Sequence, residues 1–134
     1  MQILSPSSRA MRALVAAAAV FLAACGTDSN EPQQALTFAV ELDSPNGDEG
    51  AALLELEGDV AVVRAPAGTR IMMHRDGGAT RVVVVRDEPG SIAFEVDLAE
   101  PGPAPEARVI EVSGPDDALR AVSSGYAVSF RARR

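Results

Sequence analysis

Few side chains of this chain can do covalent or acid–base chemistry. It carries one thiol, Cys25, one imidazole, His74, and twelve basic residues that are all arginine. The lack of lysine removes Schiff-base chemistry and a phosphate-loop lysine. His74 would serve a hydrolase as the base that takes a serine proton, oriented by a carboxylate. It follows Ile71-Met72-Met73 at a strand end, no G-x-S-x-G elbow occurs, and Ser123-Ser124-Gly125 lacks the leading glycine. A lone histidine does not build an ordinary zinc site, so His74 is expected to be a partly exposed strand-end residue. The acidic segment Asp43-Ser44-Pro45-Asn46-Gly47-Asp48-Glu49-Gly50 is more suggestive. Calcium takes several carboxylate and carbonyl oxygens at once, and Asp43, Asn46, Asp48 and Glu49 are its weak candidate ligands if the loop folds back. Pro45 and Gly47 stand where an EF-hand needs ligands, and a solvated turn made by Asn46 and Gly47 is the simpler expectation. The carboxylate pairs Glu55/Glu57 and Glu95/Asp97 alternate with apolar residues. That assigns them to the outward side of strands rather than to a glycosidase cleft. Met72 and Met73 read as packing. No catalytic set, cofactor site or firm metal site emerges.

Cys25 stands in a different context. Arg9 and Arg12 precede an uncharged apolar run, Ala13 to Leu22, and Leu22-Ala23-Ala24-Cys25 closes it with small residues. This is the layout of a secretory signal, and the apolar stretch is too short to span a bilayer as a stable helix. The closing tetrapeptide resembles the lipobox of bacterial lipoproteins. That resemblance implies diacylglyceryl transfer to the Cys25 thiol, cleavage before it, and acylation of the new amine. Two or more acyl chains anchor stably, since each buried methylene contributes about 0.8 kcal/mol and one chain alone binds marginally. Gly26 stands where an aspartate often retains such lipoproteins at the inner membrane, so the resemblance implies an outer-membrane location in a cell that has one. The expected organisation is a signal peptide over 1–24, a lipidated flexible tether over 25–35 (polar after Cys25, with Pro32), and one domain over 36–134.

Cleavage removes Arg9 and Arg12, leaving ten arginines against nineteen acids and a formal balance of −9. A general nucleic-acid binder needs a basic face against phosphate, so that class is excluded. With Cys25 the only cysteine, the domain has neither an internal disulfide nor a cysteine metal site. An apolar core must hold it, and 110 residues suffice for one.

The elements that would position these residues follow a period of two. Leu36, Phe38, Val40 and Leu42 alternate with more polar residues, as do Ala52, Leu54 and Leu56; Ile92, Phe94, Val96 and Leu98; and Tyr126, Val128 and Phe130. Such alternation puts one side of a strand inward. The run Val82–Val85 suggests a central strand covered on both faces. Shorter strands are expected over Val60–Arg64, Arg70–His74 and Arg108–Ser113. Turns are expected at Pro45-Asn46-Gly47, Pro66-Ala67-Gly68, Asp76-Gly77-Gly78 and Asp87-Glu88-Pro89-Gly90. Residues 99–107, with three prolines, predict an extended surface connection. Residues 115–123 predict a helical turn, with a short strand as the alternative. Phe38, Phe94, Tyr126 and Phe130 all fall on inward positions. About eight short strands in roughly 100 residues predict an all-β fold, an antiparallel β-sandwich of immunoglobulin- or cohesin-like type.

The order of an opening Leu36–Leu42 strand, Gly90-Ser91-Ile92-Ala93-Phe94-Glu95-Val96 after a turn, and a closing Gly125-Tyr126-Ala127-Val128-Ser129-Phe130 strand resembles cohesin-like domains of bacterial surface proteins. The likeness implies architecture only, since a shared sandwich transfers no binding activity. The functional expectation is a membrane-anchored cell-envelope lipoprotein, a non-enzymatic binding or structural module. Its partners would be the membrane, through lipid on Cys25, and an envelope protein or glycan. The alternative is a small envelope hydrolase, carbohydrate-active among others, using His74 or acidic residues. The C-terminal Arg131-Ala132-Arg133-Arg134 reads as a solvated terminus.

Overall fold

The computed structural model describes residues 35–121 and 125–134. Eight strands lie in two antiparallel four-stranded sheets: β1 Ala35–Asp43, β2 Glu49–Glu57, β3 Val60–Arg64, β4 Thr69–Asp76, β5 Ala79–Gly90, β6 Ala93–Gly102, β7 Glu106–Ser113 and β8 Ala127–Arg133. The first sheet has the order β3-β6-β1-β8 and the second β4-β5-β2-β7. Each of the eight expected strands is present, and the described residues contain no helix. The fold is all-β, a β-sandwich.

The core is built by the inward side of each alternation. Phe38, Val40, Leu42, Ala52, Leu54, Leu56, Val82, Val84, Phe94, Val96, Leu98 and Val112 are buried. Phe38 meets the half-buried Phe130 edge to face, ring centroids 6.3 Å apart, the geometry that a ring's electron-rich face and positive edge favour. Tyr126 and Phe130 are half-buried against this core rather than inside it.

Several local expectations are corrected. Met72 and Met73, expected to pack, are exposed, and Val83 and Val85 are half-buried, so the Val82–Val85 run is covered on one face only. Leu36 is 48% exposed and Ala35 buried, because the β1–β6 register shifts between Ala35 and Thr37. A bulge there reverses which side of the strand meets the core. The first strand also starts one residue before the expected boundary. Residues 87–90 do not make a turn: they prolong β5, Glu49 pairs with Gly90 across a register shift, and Ser91 and Ile92 alone connect to β6. Most of 99–107 is strand rather than connection, leaving only 103–105 between β6 and β7. At 115–117 the chain makes a non-helical turn with Asp117 at φ 60°. Leu119 then bridges to Ser113, so the strand alternative is the nearer one.

The remaining turns are as expected. Gly47 and Gly68 have φ of 84° and 70°, a region where a Cβ is strained. Gly77-Gly78 forms a two-residue hairpin between Asp76 and Ala79.

Candidate functional site

Cys25 and the expected lipobox lie outside the described residues, as do the expected signal peptide and nearly all of the expected tether.

The acidic loop joins β1 to β2, and its last acid turns inward. Glu49 is 1% exposed. The Ser44 hydroxyl and the Tyr126 phenol each donate to its Oε1 at 2.7 Å, and Arg120 Nε donates to Oε2 at 3.2 Å. Asn46 Nδ2 donates to the Tyr126 oxygen at 2.8 Å, and the Asn46 N–H to the Ser44 hydroxyl at 3.0 Å. Burial alone would push the Glu49 carboxyl up, but the three hydrogen bonds and the Arg120 charge outweigh it and hold it below its ordinary value. Both carboxylate oxygens are therefore committed to protein donors. Asp43 ends β1 opposite Ala127, and Asp48 is exposed. Among the described residues no three of His, Cys, Asp and Glu gather where a metal could sit. The four candidate calcium ligands are thus not brought together: Glu49 and Asn46 belong to a network that ties this loop to Arg120 and Tyr126.

His74 lies on the outer face of the second sheet, exposed, paired in register with Arg81. The neighbouring carboxylate on that row, Glu55, is engaged by Arg81 at 3.1 Å and Arg108 at 2.5 Å. The hydrogen bonds from Arg81 and Arg108 hold Glu55 below its ordinary pKa. A carboxylate occupied in this way neither orients His74 nor takes a proton near neutrality.

The outer face of the first sheet carries a feature that the residue pattern did not announce. There a groove of about 500 Å³ crosses the sheet. Its floor is Ala39 on β1 and Ala93 on β6, its walls are Arg64, Ala65 and Pro66 on one side and Ser129, Arg131 and Arg133 on the other, and Glu41 and Glu95 face into it. The volume is within the range of ligand pockets. Arg64 bonds to Asp97 and reaches Glu95 at 3.5 Å, while Arg133 meets Glu95 at 3.3 Å. Thr37 donates to Asp97 at 2.7 Å. The Arg64 guanidinium, followed by the Thr37 hydroxyl, holds the Asp97 carboxyl below its ordinary value. The concavity exists because two alanines stand at outward positions of central strands, where larger side chains pack better. That substitution pattern is the one signal in the sequence that points to it. Arg64 and Arg131 belong to strands far apart in sequence, and only the sheet order brings them to facing walls.

No family model, curated protein or solved structure matches the chain.

Proposed function

We propose that this chain is a lipid-anchored lipoprotein of a bacterial cell envelope, and that its sandwich is a non-enzymatic binding or structural module. The observation that carries the reading is Leu22-Ala23-Ala24-Cys25 closing a short apolar run that follows two arginines. A thiol so placed is the one residue of the chain with a definite chemical fate. Lipid on it gives attachment without a membrane-spanning helix. The absence of aspartate after it favours the outer membrane where one exists. The faint cohesin-like order of strands supports a display domain without naming its ligand.

The module reading is supported by how the acids are used. Glu49, Glu55, Glu95 and Asp97 all engage arginines. The one imidazole stands exposed beside an arginine rather than beside a serine and a carboxylate. General acid–base catalysis needs a group within hydrogen-bond reach of the proton it moves, and these carboxylates are already paired.

Intact-mass and N-terminal peptide analysis of the protein from a bacterial envelope tests the anchor. The expected product begins at Cys25 and carries the added mass of a diacylglyceryl group. Cys25→Ala is expected to leave an uncleaved or released protein. A soluble product with its leader intact, or normal processing and retention of the alanine variant, overturns the reading.

A further inference from the structure

We propose that the groove on the outer face of the first sheet binds a free di- or tripeptide, a zwitterion, with its carboxylate on Arg131 and its ammonium on Glu41. This rests on the sandwich being a binding module but not on the lipid anchor.

The charges of the groove decide the ligand class. Arg64 and Arg133 are committed to Glu95 and Asp97, and that quartet is electrically balanced. Arg131 and Glu41 remain, and among the described residues neither has an ion-pair partner. They do not pair with each other either. Arg131 stands opposite Ala39 and Glu41 opposite Ser129 on the adjoining strands β8 and β1, a diagonal of roughly 7–8 Å at the backbone. An extended peptide advances about 3.3–3.6 Å per residue. The two side chains leave their strands at this spacing, and an amine and a carboxylate two or three residues apart fall within their reach. A purely anionic ligand would face Glu41 and a purely cationic one Arg131, and like-charge juxtaposition rejects both. The Ala39 and Ala93 floor lets a peptide backbone lie close to the sheet, and Pro66 closes one side. The ligand lies on the face of the sheet, so no strand edge has to open.

The test is an NMR titration of the isotope-labelled chain, as the cell produces it, in detergent micelles. The probe is tri-alanine, compared with its N-acetylated, C-amidated and doubly capped forms. Tri-alanine is expected to shift the amides of Ala39, Glu41, Ala93, Ser129 and Arg131. Each single cap should weaken binding about 2- to 5-fold, the range expected for one exposed ion pair. Arg131→Ala should bind the free acid and the C-amide equally, and Glu41→Gln should no longer distinguish the free amine from its acetyl form. Ala39→Trp fills the floor while leaving both charged residues in the chain, and should abolish the shifts while leaving the remaining amide spectrum in place. Three results overturn the proposal: no shifts with peptide well above the millimolar range, equal shifts from the doubly capped peptide, or shifts that persist in Ala39→Trp. Peptide binding by a chain that is not lipidated at Cys25 would overturn the anchor alone, and lipidation without binding the groove alone.

Discussion

Glu49 is the residue on which most of the polar order at one end of the sandwich converges. Its carboxylate offers acceptors to a hydroxyl, a phenol and a guanidinium in a place closed to water, where an unmade hydrogen bond is expensive. Glu49→Gln keeps the shape but removes the charge that Arg120 answers. It is expected to lower stability by about 1.5–3 kcal/mol at neutral pH, read from urea unfolding. The pH dependence has a definite sign. Because the folded carboxyl is held below its ordinary value of 4.5, its contribution is present above that value. It is lost as pH falls through the lower folded one. Urea midpoints of the wild-type chain and Glu49→Gln should therefore converge as pH drops below about 4.5. A gap unchanged at acid pH would contradict the assignment of the ionised carboxylate as the organising group.

At the scale of the element, two glycines let the β7–β8 connection reach Glu49. A Cβ on Gly114 would lie 2.6 Å from the Arg120 guanidinium, and one on Gly50 would lie 2.8 Å from the Gly114 carbonyl oxygen. Gly114→Ala must therefore displace the same guanidinium that Arg120→Ala removes. Each is expected to destabilise by about 1–3 kcal/mol. The double variant should cost much less than the sum, because both act on one interaction. Additive costs in a double-mutant cycle would show that Gly114 serves something else. The bulge in β1 makes a second prediction. Leu36→Glu should change stability by less than about 0.5 kcal/mol, while Phe38→Ala should cost about 3–5 kcal/mol. A severe Leu36→Glu would mean that the uninterrupted alternation, with Leu36 inward, is the correct register.

At the scale of the molecule, among the described residues only one of the six strand pairs, β4–β5, joins strands adjacent in sequence. Every other connection crosses from one sheet to the other. The sheet faces are consequently assembled from distant segments: the groove has walls from β3 and β8 and a floor from β1 and β6. The four edges are β3, β8, β4 and β7. Arg64 on β3, Arg131 and Arg133 on β8, Arg70 and Arg75 on β4, and Arg108 on β7 place charge on all four, a common protection against edge-to-edge association. Arg131→Ala should therefore be checked by light scattering at high concentration. The chain is expected to stay monodisperse, since Arg133 remains on that edge. Oligomerisation would show that one charge guards it.

The period-two alternation and the glycine turns identified eight strands, and absence of a second cysteine left the apolar core to hold them. These are local properties: side-chain direction in a strand depends on the residue's own parity, and a tight turn on its own φ. The proposed lipobox is legible for the same reason, being four consecutive residues, Leu22-Ala23-Ala24-Cys25. What failed to read locally was whatever depended on a neighbour in space. The bulge that turns Leu36 outward is a matter of register with β6. The extension of β5 through Pro89 is fixed by pairing of Gly90 with Glu49, 41 positions away. Glu49 looked like one more solvated acid of a polar loop until Arg120 and Tyr126 closed over it. The groove, likewise, is made by alanines and arginines that become neighbours only when the sheet order is set. Long-range pairing is chosen by the total burial of the assembled sandwich, a sum over both sheets that no single segment of the sequence contains.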